Sequence, residues 1–161
     1  MPEHAARDWL SPFVHAAGQI LQTMLGCGSR AGSAVPVTDG AHRHAVTSVI
    51  SLQGDLCGGL SFSVPAHEAR AILQRMTGIE TDEVDELVRD VIGEMANMIA
   101  GAGKRHLEPL SLQLDIPRVL VNSPADAIPV WPHHHWVPLE TDFGRCTLDV
   151  GFVFPILAEV A

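Results

Sequence analysis

Four residues with polar or very small side chains recur at helical spacing in the middle of the chain. Asp90, Glu94, Asn97 and Gly101 occupy positions i, i+4, i+7 and i+11, so on a helix they form one stripe. A carboxamide both donates and accepts hydrogen bonds and can orient an attacking water molecule, while a carboxylate one turn away can bind a lysine. Neither group is a strong nucleophile or base. The pair therefore suits a reaction that depends on positioning, such as phosphoryl transfer.

The stretch that must position these residues is 82–106, which lies within the longest segment without proline, 66–108. Its apolar residues repeat at helical spacing and predict a buried wall, with Leu87, Val91, Met95 and Met98 on one line and Val88, Ile92 and Ile99 beside it. A solvated polar face is the ordinary alternative for the stripe. Asn97 argues against it, because asparagine is a mediocre helix former and here has no cap to supply.

Three glycines, Gly93, Gly101 and Gly103, lie in the same stretch. Each disfavours a helix by about 1 kcal/mol relative to alanine. They predict either that something approaches the helix backbone closely or that the helix ends near residues 101–103.

Composition restricts the classes of function. The 161 residues carry 47% hydrophobic and 18% charged residues, which predicts one folded domain over 1–161 with an aliphatic core. The net charge of −9 disfavours nucleic acid and anionic membranes as partners. The first dozen residues lack signal-peptide features and no run is long enough to span a membrane, so a cytoplasmic location is expected. Cys27, Cys57 and Cys146 lack CxxC spacing and are interpreted as reduced thiols.

The remaining elements are predicted from periodicity and turn residues. A first helix is expected from Ser11, as N-cap before Pro12, to Gly26, and a short helix over 68–76. Strands are expected over 34–38, 45–52, 57–64, 110–115, 119–121, 135–140 and 145–154, and Pro117 separates 110–115 from 119–121. Gly58 and Gly59 predict a bulge or a site of tight packing. Helix followed by hairpin occurs twice, which predicts two related halves around a mostly antiparallel sheet.

His133, His134 and His135, between two tryptophans, are the other group that could do chemistry. Alternate strand residues face opposite ways, so only His133 and His135 could share a metal, with His42 or His44 as further ligands. A solvated loop is the simpler interpretation, and no metal site is predicted. The sequence contains no HExxH, Gly-rich phosphate loop or GxSxG motif.

The segment DVIGEMANMIAG from Asp90 to Gly101, followed by Lys104, resembles the signature of the CheC/CheX/FliY family of chemotaxis phosphatases. The resemblance extends to SPFVHAAGQILQTMLG in the first helix, GDLCGGLSFSVP in the first hairpin and VPLETDFGRCTLDV in the closing strands. It is closest to the CheX branch of the family. It implies an α/β (α+β) fold with two long helices packed on a sheet with pseudo-twofold halves. It also implies hydrolysis of the aspartyl phosphate on a CheY-like response-regulator receiver domain, in chemotaxis or another two-component system.

The resemblance assigns roles residue by residue. Glu94 would pair with the receiver's lysine and Asn97 would place the hydrolytic water, with Asp90, Gly101 and Lys104 as possible supporting residues. No cofactor is expected on this chain, since the Mg²⁺ belongs to the receiver. The first helix has no acid or asparagine, so one site per chain is expected, and the resemblance also implies a homodimer.

Two features depart from the family pattern. The proline of the pattern comes later in the chain than Pro117 does here, and Gly101-Ala102-Gly103-Lys104 replaces the more usual Gly-Asn-Ala-Lys. Asp90 has an alternative role as a helix-face carboxylate paired with Arg89 or Lys104. The alternative function is a binding module that docks a receiver without catalysis.

Overall fold

The computed structural model describes residues 8–153. Its helices are α1 (Ser11–Leu25), α2 (Ala66–Thr77) and α3 (Glu86–Arg105), with a short 3-10 helix at Ala125–Ala127. Its strands are β1 (Ser29–Ala31), β2 (Val35–Pro36), β3 (Val46–Gly54), β4 (Cys57–Val64), β5 (Leu112–Leu114), β6 (Arg118–Val121), β7 (His133–Thr141) and β8 (Gly144–Val153). The predicted strand over 145–154 is thus confirmed to Val153, and its last residue lies outside the described part.

All the strands belong to one antiparallel sheet in the order β1-β7-β8-β4-β3-β5, in which β2 also pairs with β7 and β6 also pairs with β3. Two long hairpins, β3–β4 and β7–β8, join along β4 and β8, where Ser61 lies opposite Asp149. Beyond each hairpin the outer position is filled by two short strands, β1 with β2 on one side and β5 with β6 on the other. The predicted antiparallel sheet with pseudo-twofold halves is confirmed.

The core lies between the helices and one face of this sheet. Phe13 and Leu21 of α1, and Ile92 and Met95 of α3, are almost completely buried. Phe152 of β8 meets Phe13 with ring centroids 6.3 Å apart. Burial of each such side chain stabilises the fold by about 1.5–3 kcal/mol, so α1 and α3 are held rigidly on the sheet.

The start of α1 differs from the prediction. Ser11 is the first helical residue and is not the N-cap. Asp8 instead accepts hydrogen bonds from the backbone of Leu10 and Ser11, both 3.0 Å, and from the Ser11 hydroxyl. An aspartate carboxylate satisfies free N–H groups at a helix start as well as a serine does, so Asp8 makes the contacts that the sequence predicts for Ser11.

The far face of the sheet, turned away from the helices, is also covered. The register between β3 and β4 is continuous through Gly58 and Gly59, so the predicted bulge is absent and the alternative, tight packing, is confirmed. A Cβ on Gly59 would lie 3.1 Å from Nε1 of Trp131, and one on Gly151 would lie 2.5 Å from its Cδ1. These two glycines face each other across β4 and β8 and make room for the Trp131 ring.

Candidate functional site

Helix α3 presents the stripe from a fixed position. Asp85 caps its N-terminus by accepting a hydrogen bond from the backbone N–H of Val88 at 3.0 Å, and Lys104 and Arg105 lie in the last turn, where cations interact favourably with the helix dipole. The helix continues to Arg105, so a helix end near residues 101–103 is not the alternative that explains its glycines.

The stripe itself lies on the open side of α3. Asp90 and Glu94 are exposed, and Asn97 and Gly101 are partly exposed. Glu94 and Asn97 are separated by about 4.5 Å along the helix axis. Within residues 8–153, the side chains of Asp90, Glu94 and Asn97 make no hydrogen bond or ion pair with one another or with other groups. Their polar atoms are therefore available to a partner.

The alternative role for Asp90, pairing with Arg89 or Lys104, is not what the structure shows. The Nζ of Lys104 donates a hydrogen bond to the carbonyl oxygen of Leu112 at 2.9 Å. Lys104 thus holds the sheet edge at β5 against α3. Its role in the described structure is to position that edge.

Leu87 was assigned to the buried wall, and this prediction is wrong. Its side chain is 46% exposed, whereas Val88, Ile92 and Ile99 are completely buried. Leu87 precedes Asp90 by three residues and Glu94 by seven, which places it at the N-terminal end of the stripe. The periodicity of the sequence could not distinguish a place on the buried wall from a place on the exposed stripe, because Leu87 is also four residues from the half-buried Val91.

The glycines of α3 serve contacts within the chain. A Cβ on Gly103 would overlap the ring of Phe13 on α1, and one on Gly93 would lie 3.3 Å from Cγ2 of Val119. Of the two alternatives, close approach to the helix backbone is therefore confirmed. At Gly101, by contrast, the nearest atom to a Cβ would be Cδ1 of Leu114 at 3.9 Å.

Pro117 lies beside the stripe although it comes earlier than the family pattern places its proline. It sits in the break between β5 and β6, both of which pair with β3. Its Cγ and Cβ lie 3.6 and 3.7 Å from the position of a Cβ on Gly93. Because proline cannot donate a ladder hydrogen bond, the edge strand is interrupted there, as predicted, and the break packs directly on α3.

A second polar group lies on the far face of the sheet, centred on Asp149 of β8. Arg43 donates to its carboxylate from Nε at 3.1 Å and from Nη2 at 3.0 Å, and Nε2 of His42 lies 2.8 Å from it. Burial alone would raise the pKa of Asp149, but hydrogen bonds from His134 and His42 and the charge of Arg43 hold that pKa well below its usual range. The carboxylate is therefore ionised and fully paired.

His134 belongs to the same group and is not in a solvated loop. It begins β7 with its neighbours, is buried, and lies 2.7 Å from Asp149 through Nε2. Its Nδ1 accepts a hydrogen bond from the backbone N–H of Trp131 at 3.1 Å, so the proton resides on Nε2 and is donated to Asp149. No sequence signal joined these residues, because 15 and 107 positions separate Asp149 from His134 and His42.

Both ring nitrogens of His134 are occupied, and a guanidinium lies beside the shared carboxylate, so a cation would be repelled there. Within residues 8–153 there is no group of three or more histidine, cysteine, aspartate or glutamate residues arranged to hold a metal. The thiols are free, as predicted, and burial raises the pKa of Cys146 to about 12. That thiol is therefore not a nucleophile at neutral pH.

An antiparallel sheet of two joined hairpins, covered by α1 and α3, is the fold shared with solved CheC-like and CheX proteins. Residues 46–129, which include the whole stripe, match the family described as "Chemotaxis phosphatase CheX". The chain belongs to this family.

Known proteins resemble this chain in sequence and in fold. The CheY-P phosphatase CheX of Thermotoga maritima is 30% identical over 109 residues, which cover 67% of this chain and 70% of that protein. The chemotaxis protein CheX of Vibrio vulnificus has a TM-score of 0.81 at 22% identity, over 91% of this chain and 100% of that one. A CheX solved as a CheX-CheY-BeF3-Mg²⁺ complex from Borrelia burgdorferi has a TM-score of 0.74 at 18% identity, over 90% and 97% of the two chains.

No helix among residues 8–153 is long and apolar enough to cross a bilayer.

Proposed function

We propose that this protein is a phosphatase that accelerates hydrolysis of the aspartyl phosphate on a CheY-like receiver domain. One observation carries the proposal. Glu94 and Asn97 stand one turn apart on the open side of a rigidly held helix, and neither makes a hydrogen bond within the described residues. The family of the chain and the activity named for its Thermotoga maritima relative agree with this chemistry.

Asn97 is the group that acts on the reacting water. Its carboxamide oxygen accepts a hydrogen bond from the water and directs it in line with the phosphorus, which is the positioning that phosphoryl transfer needs. Glu94 provides a carboxylate that pairs with a lysine of the receiver and sets the register between the proteins. Asp90 and Gly101 extend the contact along the same stripe, and Lys104 supports it by holding β5 in place.

The remaining components come from the partner. We infer that the Mg²⁺ and the phosphorylated aspartate both belong to the receiver, so this chain supplies half of a composite active site. One site per chain is proposed, because α1 presents no acid or asparagine. The proposed assembly is a homodimer, which rests on the resemblance to CheX-like proteins.

A phosphate-release assay tests the proposal. A CheY-like receiver is phosphorylated with acetyl phosphate, freed of the donor, and mixed with catalytic amounts of the protein. We expect the wild type to accelerate phosphate loss, Asn97→Ala to reduce the rate by about 100-fold, since misplaced water costs about that much, and Glu94→Ala to reduce it through weaker docking and poorer alignment.

Gln22→Ala is the matched control. Gln22 is an exposed helix carboxamide on α1, so this variant should keep full activity, and a loss would indicate a second site on α1. Full activity in both stripe variants would refute the assignment of the site. A stable complex with the receiver but no accelerated phosphate loss would show that the chain is a binding module and not a phosphatase.

A further inference from the structure

Large apolar side chains are exposed at only a few places among residues 8–153, and two of them border the stripe. The exposed set is Met24, Val35, Ile79, Leu87, Ile116, Val130 and Val153. Single exposed hydrophobic residues are ordinary on protein surfaces. The position of Leu87 and Ile116 relative to Asp90, Glu94 and Asn97 is what distinguishes them.

Ile116 is the most exposed of the set, at 84%. It precedes Pro117 in the break between β5 and β6, and its backbone N–H donates to the Asp115 carboxylate at 2.7 Å. Since Pro117 packs against Gly93 of α3, the break is held beside the stripe. Ile116 is therefore an exposed apolar residue that directly precedes the proline packed on α3 at Gly93, between Asp90 and Glu94 in the sequence.

Leu87 occupies the other end of the stripe. It is one turn before Asp90 on the same line of α3 and is 46% exposed. Half-buried apolar residues continue this border on both sides of the stripe, with Val91 and Met98 on α3 and Leu114 and Val119 on the edge strands. The polar groups that would act on a phosphoryl group are thus surrounded by apolar surface.

We infer that Leu87 and Ile116 are the apolar contacts through which this protein docks its receiver. The inference rests on the proposed function. Apolar contacts around a polar centre exclude bulk water and strengthen the polar interactions within. They also provide affinity that charge does not, since the chain has a net charge of −9 and offers no attraction to an acidic partner.

A second copy of the chain is the competing occupant. If it covered Leu87 and Ile116, it would also cover Asp90 and Glu94, which lie on the same part of α3. The same surface would then be closed to the receiver, so the receiver is the occupant that is compatible with the site.

Leu87→Ser and Ile116→Ser test the inference in the phosphate-release assay, with the concentration of the phosphorylated receiver varied. We expect each variant to raise KM about tenfold and to leave kcat within twofold of the wild type, which is the signature of lost docking without lost transition-state contacts. Ile79→Ser and Val130→Ser are matched controls, since those side chains are 43% and 45% exposed and lie outside the stripe. They should leave KM unchanged.

Three results would overturn the inference. These are an unchanged KM in both variants, an equal rise in the controls, or a change in oligomeric mass in Leu87→Ser or Ile116→Ser, which would assign the surface to a second copy. Binding to the receiver is measured in parallel by calorimetry. If the wild type binds without catalysis, the proposed function fails, but weaker binding by the two variants would still support the docking contacts.

Discussion

The side chains of Glu94 and Asp149 show how differently single polar residues are used on the two faces of the sheet. Glu94 stands on the helix side, exposed and without a partner among the described residues. Asp149 is 1% exposed on the far face and is bound by His42, Arg43 and His134. Unpaired charge at the surface suits recognition, whereas paired charge in the interior specifies how segments fit together.

Asp149→Asn should destabilise the fold at neutral pH by about 3–5 kcal/mol, because it leaves the buried Arg43 guanidinium without its counter-charge. The pKa of Asp149 is lowered in the folded state, so its stabilising effect is present above the unfolded pKa of about 4 and is lost as the pH falls below it. Urea unfolding at pH 7 and near pH 3 should show the wild type losing more stability on acidification than the variant.

Asp126→Asn is the control for that comparison, since Asp126 is an exposed carboxylate in the 3-10 helix. It should change the free energy of unfolding by less than about 0.5 kcal/mol. A loss of less than 1 kcal/mol in Asp149→Asn at pH 7 would contradict the role of the cluster.

Sequence alone could predict the stripe because its residues are close in the chain and share one helix. The exposed position of Leu87 could not be predicted, since its spacing fits the buried line as well as the stripe. Asp149 and its partners were missed for another reason. They come from separate segments, and only the pairing of β7 with β8 places His134 near Asp149.

Among the elements, α3 depends most on glycine. Gly103 lets α1 approach through Phe13, and Gly93 lets the break before β6 approach through Pro117 and Val119. Both contacts fix the orientation of the stripe, because they pin α3 to its neighbours on two sides. Glycine disfavours the helix at these positions, but its lack of a side chain allows the neighbouring elements to pack closely.

Gly103→Ala should destabilise the protein by about 1–3 kcal/mol, because the added methyl group overlaps the Phe13 ring and forces one helix to shift. Gly101→Ala is its matched control on the same helix. There the nearest atom is 3.9 Å from the new Cβ, so the gain in helix propensity of up to about 1 kcal/mol should dominate. Thermal unfolding of both variants checks the prediction, which fails if the two shift in the same direction.

The long helices and hairpins were predictable because each carries its own periodicity and turn residues. The strand β1 was not predicted, since its three residues are all exposed and show no apolar alternation. The pairing of β5 and β6 with β3 was also not derivable from local patterns. It depends on residues 58 to 75 positions apart, such as Gly54 with Leu112 and Val46 with Val121, and local propensity contains no information on such contacts.

At the scale of the whole molecule, the outer strands of the sheet are places where a second chain could pair. The described sheet ends in short strands on both sides, and outer strands expose backbone groups that can pair with another chain. On the β5 side one carbonyl, that of Leu112, is occupied by Lys104. Backbone N–H and C=O groups on the outer strands that are not used within the sheet could pair with a second copy, which is compatible with the proposed homodimer.

Light scattering during size-exclusion chromatography should give a mass of about twice the 17.3 kDa of one chain, independent of concentration in the micromolar range. Asn97→Ala is a control, since the stripe is proposed to face the receiver and this variant should keep the same mass. A mass of a single chain at every concentration would exclude the dimer.

The position of β8 has a consequence for how the chain folds during synthesis. Although β8 is the last described strand in the sequence, it lies inside the sheet between β7 and β4, and it carries Phe152 and Asp149, which complete the core and the far-face cluster. The hairpin β3–β4 leaves the ribosome early but has an unpaired inner edge until residues 144–153 emerge. Contacts of such long sequence separation form slowly and leave strand edges open to other chains. Nascent chains on neighbouring ribosomes are therefore exposed to mispairing at β4 until β8 arrives.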